Sequence, residues 1–179
     1  MAQALGLLKR GAPVALSAYR RVVRLLESLM PIFDLSVRLY LAHIFWKGGM
    51  VKISSWMSTV MLFTMVYDVP VLPPEMAAYL STAVELGGSF LLAIGLAGRW
   101  AALSLFGLNI VASLSYGQLS EAALQESFYW GIFFLYFVLH GPGLLSADAL
   151  LRYLFRRRQS TNIADEDVSK QAACAGARY

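Results

Sequence analysis

MAAYLSTAVELGGSFLLAIGLAGRWAALSLFGLNIVASLSY, residues 76–116, decides the fold. Two apolar runs, Met76–Leu96 and Ala101–Tyr116, flank a short turn where Gly95, Gly98, Arg99 and Trp100 gather. A bilayer crossing takes about 20 apolar residues, and one charge inside it is rare. The first run holds a single charge, Glu85, and the second one strongly polar residue, Asn109. Two antiparallel membrane helices joined by a tight turn are the simplest reading.

Outward from this pair lie two more candidate spans. Phe33–Ile53 is long enough but carries Arg38, His43, Lys47 and Lys52. Phe128–Leu145 ends in His140-Gly141-Pro142-Gly143, whose backbone cannot continue a regular helix at low cost. Between the first two spans, Trp56–Tyr67 is apolar but too short to cross, and Asp68, Pro70, Pro73 and Pro74 follow; an interfacial segment is expected. The stretch GQLSEAALQES at 117–127 reads as a polar loop.

Residues 13–30 read as a separate amphipathic helix, closed by Pro31. Ala18, Val22, Leu25, Leu26 and Leu29 form its apolar face and Arg20, Arg21 and Arg24 lie opposite, a pattern suited to the membrane interface. Its charges break the apolar run that a cleavable signal needs, so no signal is expected. Beyond Arg158 the tail is polar, with Asp165, Glu166 and Asp167 clustered, and is expected to be disordered. The division is 1–30, a basic amphipathic segment; 31–151, the membrane domain; and 152–179, a cytoplasmic tail. The fold class is all-α: a transmembrane four-helix bundle with an N-terminal interfacial helix.

Composition agrees. Hydrophobic residues make up 58% and charged residues 15%, against roughly 45–50% and 25% in soluble chains. The net charge of +4 sits in clusters flanking apolar spans, which points to lipid headgroups and not to nucleic acid. The one cysteine, Cys174, excludes an intrachain disulfide, and no Cys/His metal cluster is visible. With four spans, the basic clusters before Pro31, at Arg99 and after Leu151 all fall on one side, which puts both termini in the cytoplasm.

Residue depth, at about 1.5 Å per residue, puts Glu85 near mid-membrane. Lys47 is closer to it in level than Arg38 or Lys52. Arg38, Phe45, Gly49 and Lys52, however, share one face of the first span, and His43 and Lys47 share roughly the opposite one. Gly49 would let a second helix approach, so Lys52 or Arg38 is the expected partner of Glu85. The candidate polar site is Arg38, Lys52, Glu85, Asn109 and His140. It reads either as an ion pair joining helices or as a ligand- or proton-handling site. His43 and His140 differ by about a turn in depth, which disfavours haem between them. At the inner interface Arg99, Gly141, Pro142, Gly143 and Asp148 are expected to be structural, with Asp148 pairing to Arg99 or Arg152.

From Pro31 to Leu151 the chain resembles the DoxX family of small bacterial membrane proteins. The resemblance rests on Arg38…Phe45…Gly49-x-x-Lys52, on Asp68-Val69-Pro70-Val71-Leu72-Pro73-Pro74, on Ala78-Tyr79, Glu85-Leu86, Leu91-Leu92, Gly95-Leu96 and Arg99, and on Gly141-Pro142-Gly143-x-x-Ser146-x-Asp148. It implies a compact four-helix bundle in the bacterial inner membrane. It also implies a subunit that anchors or supports a redox, sulfur, oxidative-stress or metal-handling system, since a related subunit serves thiosulfate:quinone oxidoreductases. The alternatives are a quinone-reactive oxidoreductase subunit built around Glu85 and a small-molecule transporter. Quinone is the candidate cofactor. The expected partners are the lipid bilayer, a redox-complex protein and a second copy of the chain.

Overall fold

A computed structural model describes residues 2–67, 72–116 and 120–159, with side chains from residue 16 on, Ala18 excepted. These residues are all-α, with six helices: α1 (Ala2–Ser54), α2 (Trp56–Met65), α3 (Pro74–Ile94), α4 (Gly98–Ser115), α5 (Glu121–His140) and α6 (residues 147–159).

The C-terminal half of α1 packs on α3, α3 on α4, and α4 on α5. Phe45 closes the ring from α1 to α5, edge-on to Phe134 at 5.0 Å and to Trp130 at 5.7 Å. Leu41, Leu92, Leu105, Phe134 and Phe137 fill the centre with no exposed surface. The outward faces are the reverse of a soluble protein's, with Leu80, Phe90, Leu103, Ile110, Leu114, Phe128 and Leu139 exposed. Exposed apolar surface this continuous needs a cover. Among the described residues α3 and α5 are long and apolar enough to cross a membrane, and only 39% and 11% of their apolar windows are buried. The core helix of a soluble protein would be mostly buried.

Three boundaries differ from the sequence reading. The expected break at Pro31 does not occur, because α1 runs through it. An interior proline removes one hydrogen bond and disturbs the preceding turn, which can kink a helix without ending it. The separate interfacial helix is thus the N-terminal part of a 53-residue helix. Residues 117–127 are not all loop, since Ser120 caps α5 by accepting from the Ala123 N–H at 3.2 Å and Glu121 sits in the first turn. At its other end α5 stops at His140, where Gly141 turns to a φ of +93°, so the fourth apolar helix ends before Leu145. The short α2, ten residues, packs Phe63 on Ala77 and Ala78 of α3. Asp68, Pro70 and the tail from residue 160, including Cys174, lie outside the described residues.

Close approach at one turn is testable. A β-carbon at Gly98 would lie 2.6 Å from the Pro142 ring, which cannot yield, whereas one at Gly87 would meet nothing within 4 Å. Gly98→Ala should destabilise the detergent-solubilised protein by about 1–3 kcal/mol. Gly87→Ala should be neutral or stabilising by up to about 1 kcal/mol. Thermal unfolding of the two variants checks the contrast.

Candidate functional site

The candidate residues divide between two places. At the first, Lys52 of α1 forms an ion pair with Glu85 of α3. Their side chains are 18% and 12% exposed. Gly49 makes this possible: a β-carbon there would lie 2.7 Å from the Leu86 side chain and 3.4 Å from Glu85 Cβ. The other Glu85 oxygen, Oε2, is buried without a hydrogen-bond partner. Lys47 and His43 lie exposed on the outer face of α1, so Lys47 is not the partner despite its level.

The pair forms part of the wall of a largely apolar cavity of about 310 Å³ between α2, α3 and α4, with Phe63, Tyr67, Leu80, Val84, Leu108 and Val111 around it. Glu85 also borders a second space of about 190 Å³, lined by Asn109, Tyr116, Ser127 and Trp130. Asn109 donates to the Ser127 carbonyl at 2.8 Å, tying α4 to α5 without touching the ion pair. Tyr67 borders both spaces. It stacks on Phe63 at 4.8 Å, packs against Tyr116 at 5.3 Å and bridges to that residue through backbone. Burial, reinforced by the Glu85 charge, pushes its hydroxyl above the usual phenol range, so it remains a proton donor at neutral pH.

Arg38 is at the second place. It is 1% exposed and donates from Nη1 to the Pro142 carbonyl and from Nη2 to the Leu145 carbonyl, both at 2.6 Å. Gly95 passes over it at a φ of +74°, and a β-carbon there would lie 2.6 Å from Nη1. Asp34, also buried, accepts from the Tyr136 hydroxyl at 2.8 Å and lies against Gly143. His140 stacks on Tyr136 at 5.1 Å. Asp148 does not pair with Arg99 or Arg152 as expected. Its carboxylate accepts instead from the backbone N–H groups of Ala97 and Gly98, at 2.9 and 3.0 Å. The start of α4 supplies unpaired N–H donors, and they are satisfied from α6. Arg38 and His140 are thus remote from Glu85. Asp34 and Tyr136 belong to this cluster and are absent from the sequence-derived site, although a carboxylate within the first span was a signal that could have found Asp34.

The DoxX family model matches residues 33–117. The chain therefore carries a DoxX family domain over these residues, and it is a membrane protein. The match covers Arg38, Lys52, Glu85 and Arg99 and stops before α5, so Gly141, Pro142, Gly143 and Asp148 lie outside it. No curated protein and no solved structure is similar enough to the chain to count as a match.

Removing one member of a buried pair leaves the other charge uncompensated, at about 3–5 kcal/mol. Glu85→Gln and Lys52→Gln should each destabilise on that scale. The double variant should recover part of the loss, and Lys47→Gln should stay within about 0.5 kcal/mol of the parent. A double-mutant cycle in detergent measures this, and additive losses would mean that the two charges do not interact.

Proposed function

We propose that this DoxX-domain protein is a four-span subunit of a membrane redox system, and that its own task is to hold the head of a lipid-soluble quinone against Lys52 and Glu85. One observation carries the reading: a buried ion pair in the wall of an otherwise apolar cavity, with a second donor, Tyr67, beside it. A quinone head is a flat apolar ring with two acceptor oxygens. The cavity walls suit the ring, Lys52 and Tyr67 are the donors for its carbonyls, and Glu85 is the acceptor for a hydroquinone hydroxyl. Electrons would come from a protein partner. The exposed His43 and Lys47 support a partner there, since polar groups facing lipid at depth are costly.

The four crossings are α1 from Phe33 on, α3, α4 and α5, each spanning about 30 Å at the helical rise. The ten-residue α2 remains at one surface. Arg99 and Arg152 lie at the opposite end, beside His140, which supports a cytoplasmic location for that end in a bacterial inner membrane.

Two experiments test this. Reporter fusions at Gln159 and before Pro31 should both read cytoplasm, and fusions near Pro73 and Ser120 should read periplasm; termini on opposite sides would overturn the four crossings. Solvent extracts of the purified protein should contain quinone by mass spectrometry, and Glu85→Gln and Lys52→Gln should each retain at least about fivefold less, equivalent to about 1 kcal/mol. Equal retention in the parent and both variants would overturn the quinone site.

A further inference from the structure

At the opposite end of the bundle from Tyr67 a cleft of about 270 Å³ opens between the N-terminal part of α1, the end of α5, Arg99 and Arg152. Its rim and floor carry charges of both signs. Among the described residues Arg99 reaches a carbonyl, that of Leu139, at 3.4 Å, and Arg152 that of Asp148, at 3.2 Å. Glu27 stands exposed on the α1 side, and the Asp34 carboxylate lies buried at the base. Among the described residues none of these four forms an ion pair with another, although they line one cleft. Its level is the common end of α3 and α5, the two helices apolar enough to cross, so it opens where headgroups lie. Beside it Met30, Phe33, Trp100, Leu139 and Leu144 are exposed.

We infer that this cleft binds a zwitterionic phospholipid headgroup of the phosphoethanolamine type. The phosphate lies between Arg99 and Arg152, whose guanidinium forks match phosphate oxygens. The primary ammonium turns towards Glu27, the exposed carboxylate of the cleft, and the acyl chains lie along the exposed apolar side chains. The groups left open select the class. Asp34 is one helical turn from Arg38 and already accepts from Tyr136, which leaves Glu27 as the carboxylate open to a cationic group beside two guanidiniums open to a phosphate. A primary ammonium can donate to a carboxylate, whereas a quaternary one has no hydrogen to give. The site is separate from the Lys52–Glu85 cavity and does not depend on the quinone reading.

The test uses the full-length protein in mild detergent. It is titrated in separate arms with dioleoyl phosphatidylethanolamine, phosphatidylcholine and phosphatidylglycerol, and bound lipids are counted by native mass spectrometry. The ethanolamine lipid should bind at least about fivefold better than either of the others. Arg99→Gln with Arg152→Gln should abolish that excess. Glu27→Gln, at an exposed position that should not disturb folding, should bring the ethanolamine lipid down to the level of the choline lipid. Lys47→Gln, outside the cleft, should retain the full preference. Equal binding of all three lipids, a preference for phosphatidylglycerol, or an ethanolamine preference that survives in both cleft variants would overturn the inference. Displacement of the lipid by millimolar inorganic phosphate would identify a free phosphate as the ligand and overturn it too.

Discussion

The buried guanidinium of Arg38 is the constraint on which the rest of the described structure depends. A charge this deep cannot be left without acceptors. Its two carbonyl partners, Pro142 and Leu145, lie more than a hundred residues further along the chain. For both carbonyls to face α1, the chain after α5 must abandon the helix and fold back beneath the bundle. The positive φ of Gly141 and Gly143 permits that path. The α3–α4 turn must then pass close over the same guanidinium, which excludes a side chain at Gly95. One arginine thereby dictates where α5 ends, how α3 turns into α4 and where α6 begins.

The two ends of the bundle are held by different chemistry. The Arg38 end relies on charged groups and backbone carbonyls: Arg38, Asp34 and Asp148 each reach across helices to a partner fixed by geometry. The other end relies on aromatic stacking, with Phe63, Tyr67 and Tyr116 in contact above the cavities. Directional hydrogen bonds in a low dielectric resist deformation. Ring contacts are worth about 0.5–1.5 kcal/mol each and have broad geometry. The spaces beside Glu85 lie beneath the softer closure.

Much of this arrangement is legible in the sequence. Periodicity placed Arg38, Phe45, Gly49 and Lys52 on one face of α1. Ranking that face above depth singled out Lys52 or Arg38 as the partner of Glu85, and Lys52 holds the position because it faces α3 while Lys47 faces outward. Charge and apolarity alone could not separate the two, since Arg38 was equally buried by pattern; only the return of residues 142–145 beneath the bundle supplies it with acceptors. Asp148 was misread for a related reason. Sequence displays charged side chains as partners, but the nearest donors were the backbone N–H groups at the start of α4. The polarity of residues 117–127 reads as loop, although α5 begins inside them with Ser120 as its N-cap, and Pro31 reads as a stop where the helix continues.

The carboxylate of Asp148 has a mechanical consequence. It belongs to α6, which also carries Arg152, Arg156, Arg157 and Arg158, yet its two hydrogen bonds end on the backbone of the α3–α4 turn. Its own N–H returns to the Gly95 carbonyl at 3.1 Å. The joint therefore has three anchor points and works as a hinge plate, not as a swivel. A pull along α6 away from the bundle loads residues 95–98 directly, and through Gly95 it presses on Arg38. Tension applied to α6 is thus carried into the centre of the bundle instead of being lost in a loose connection.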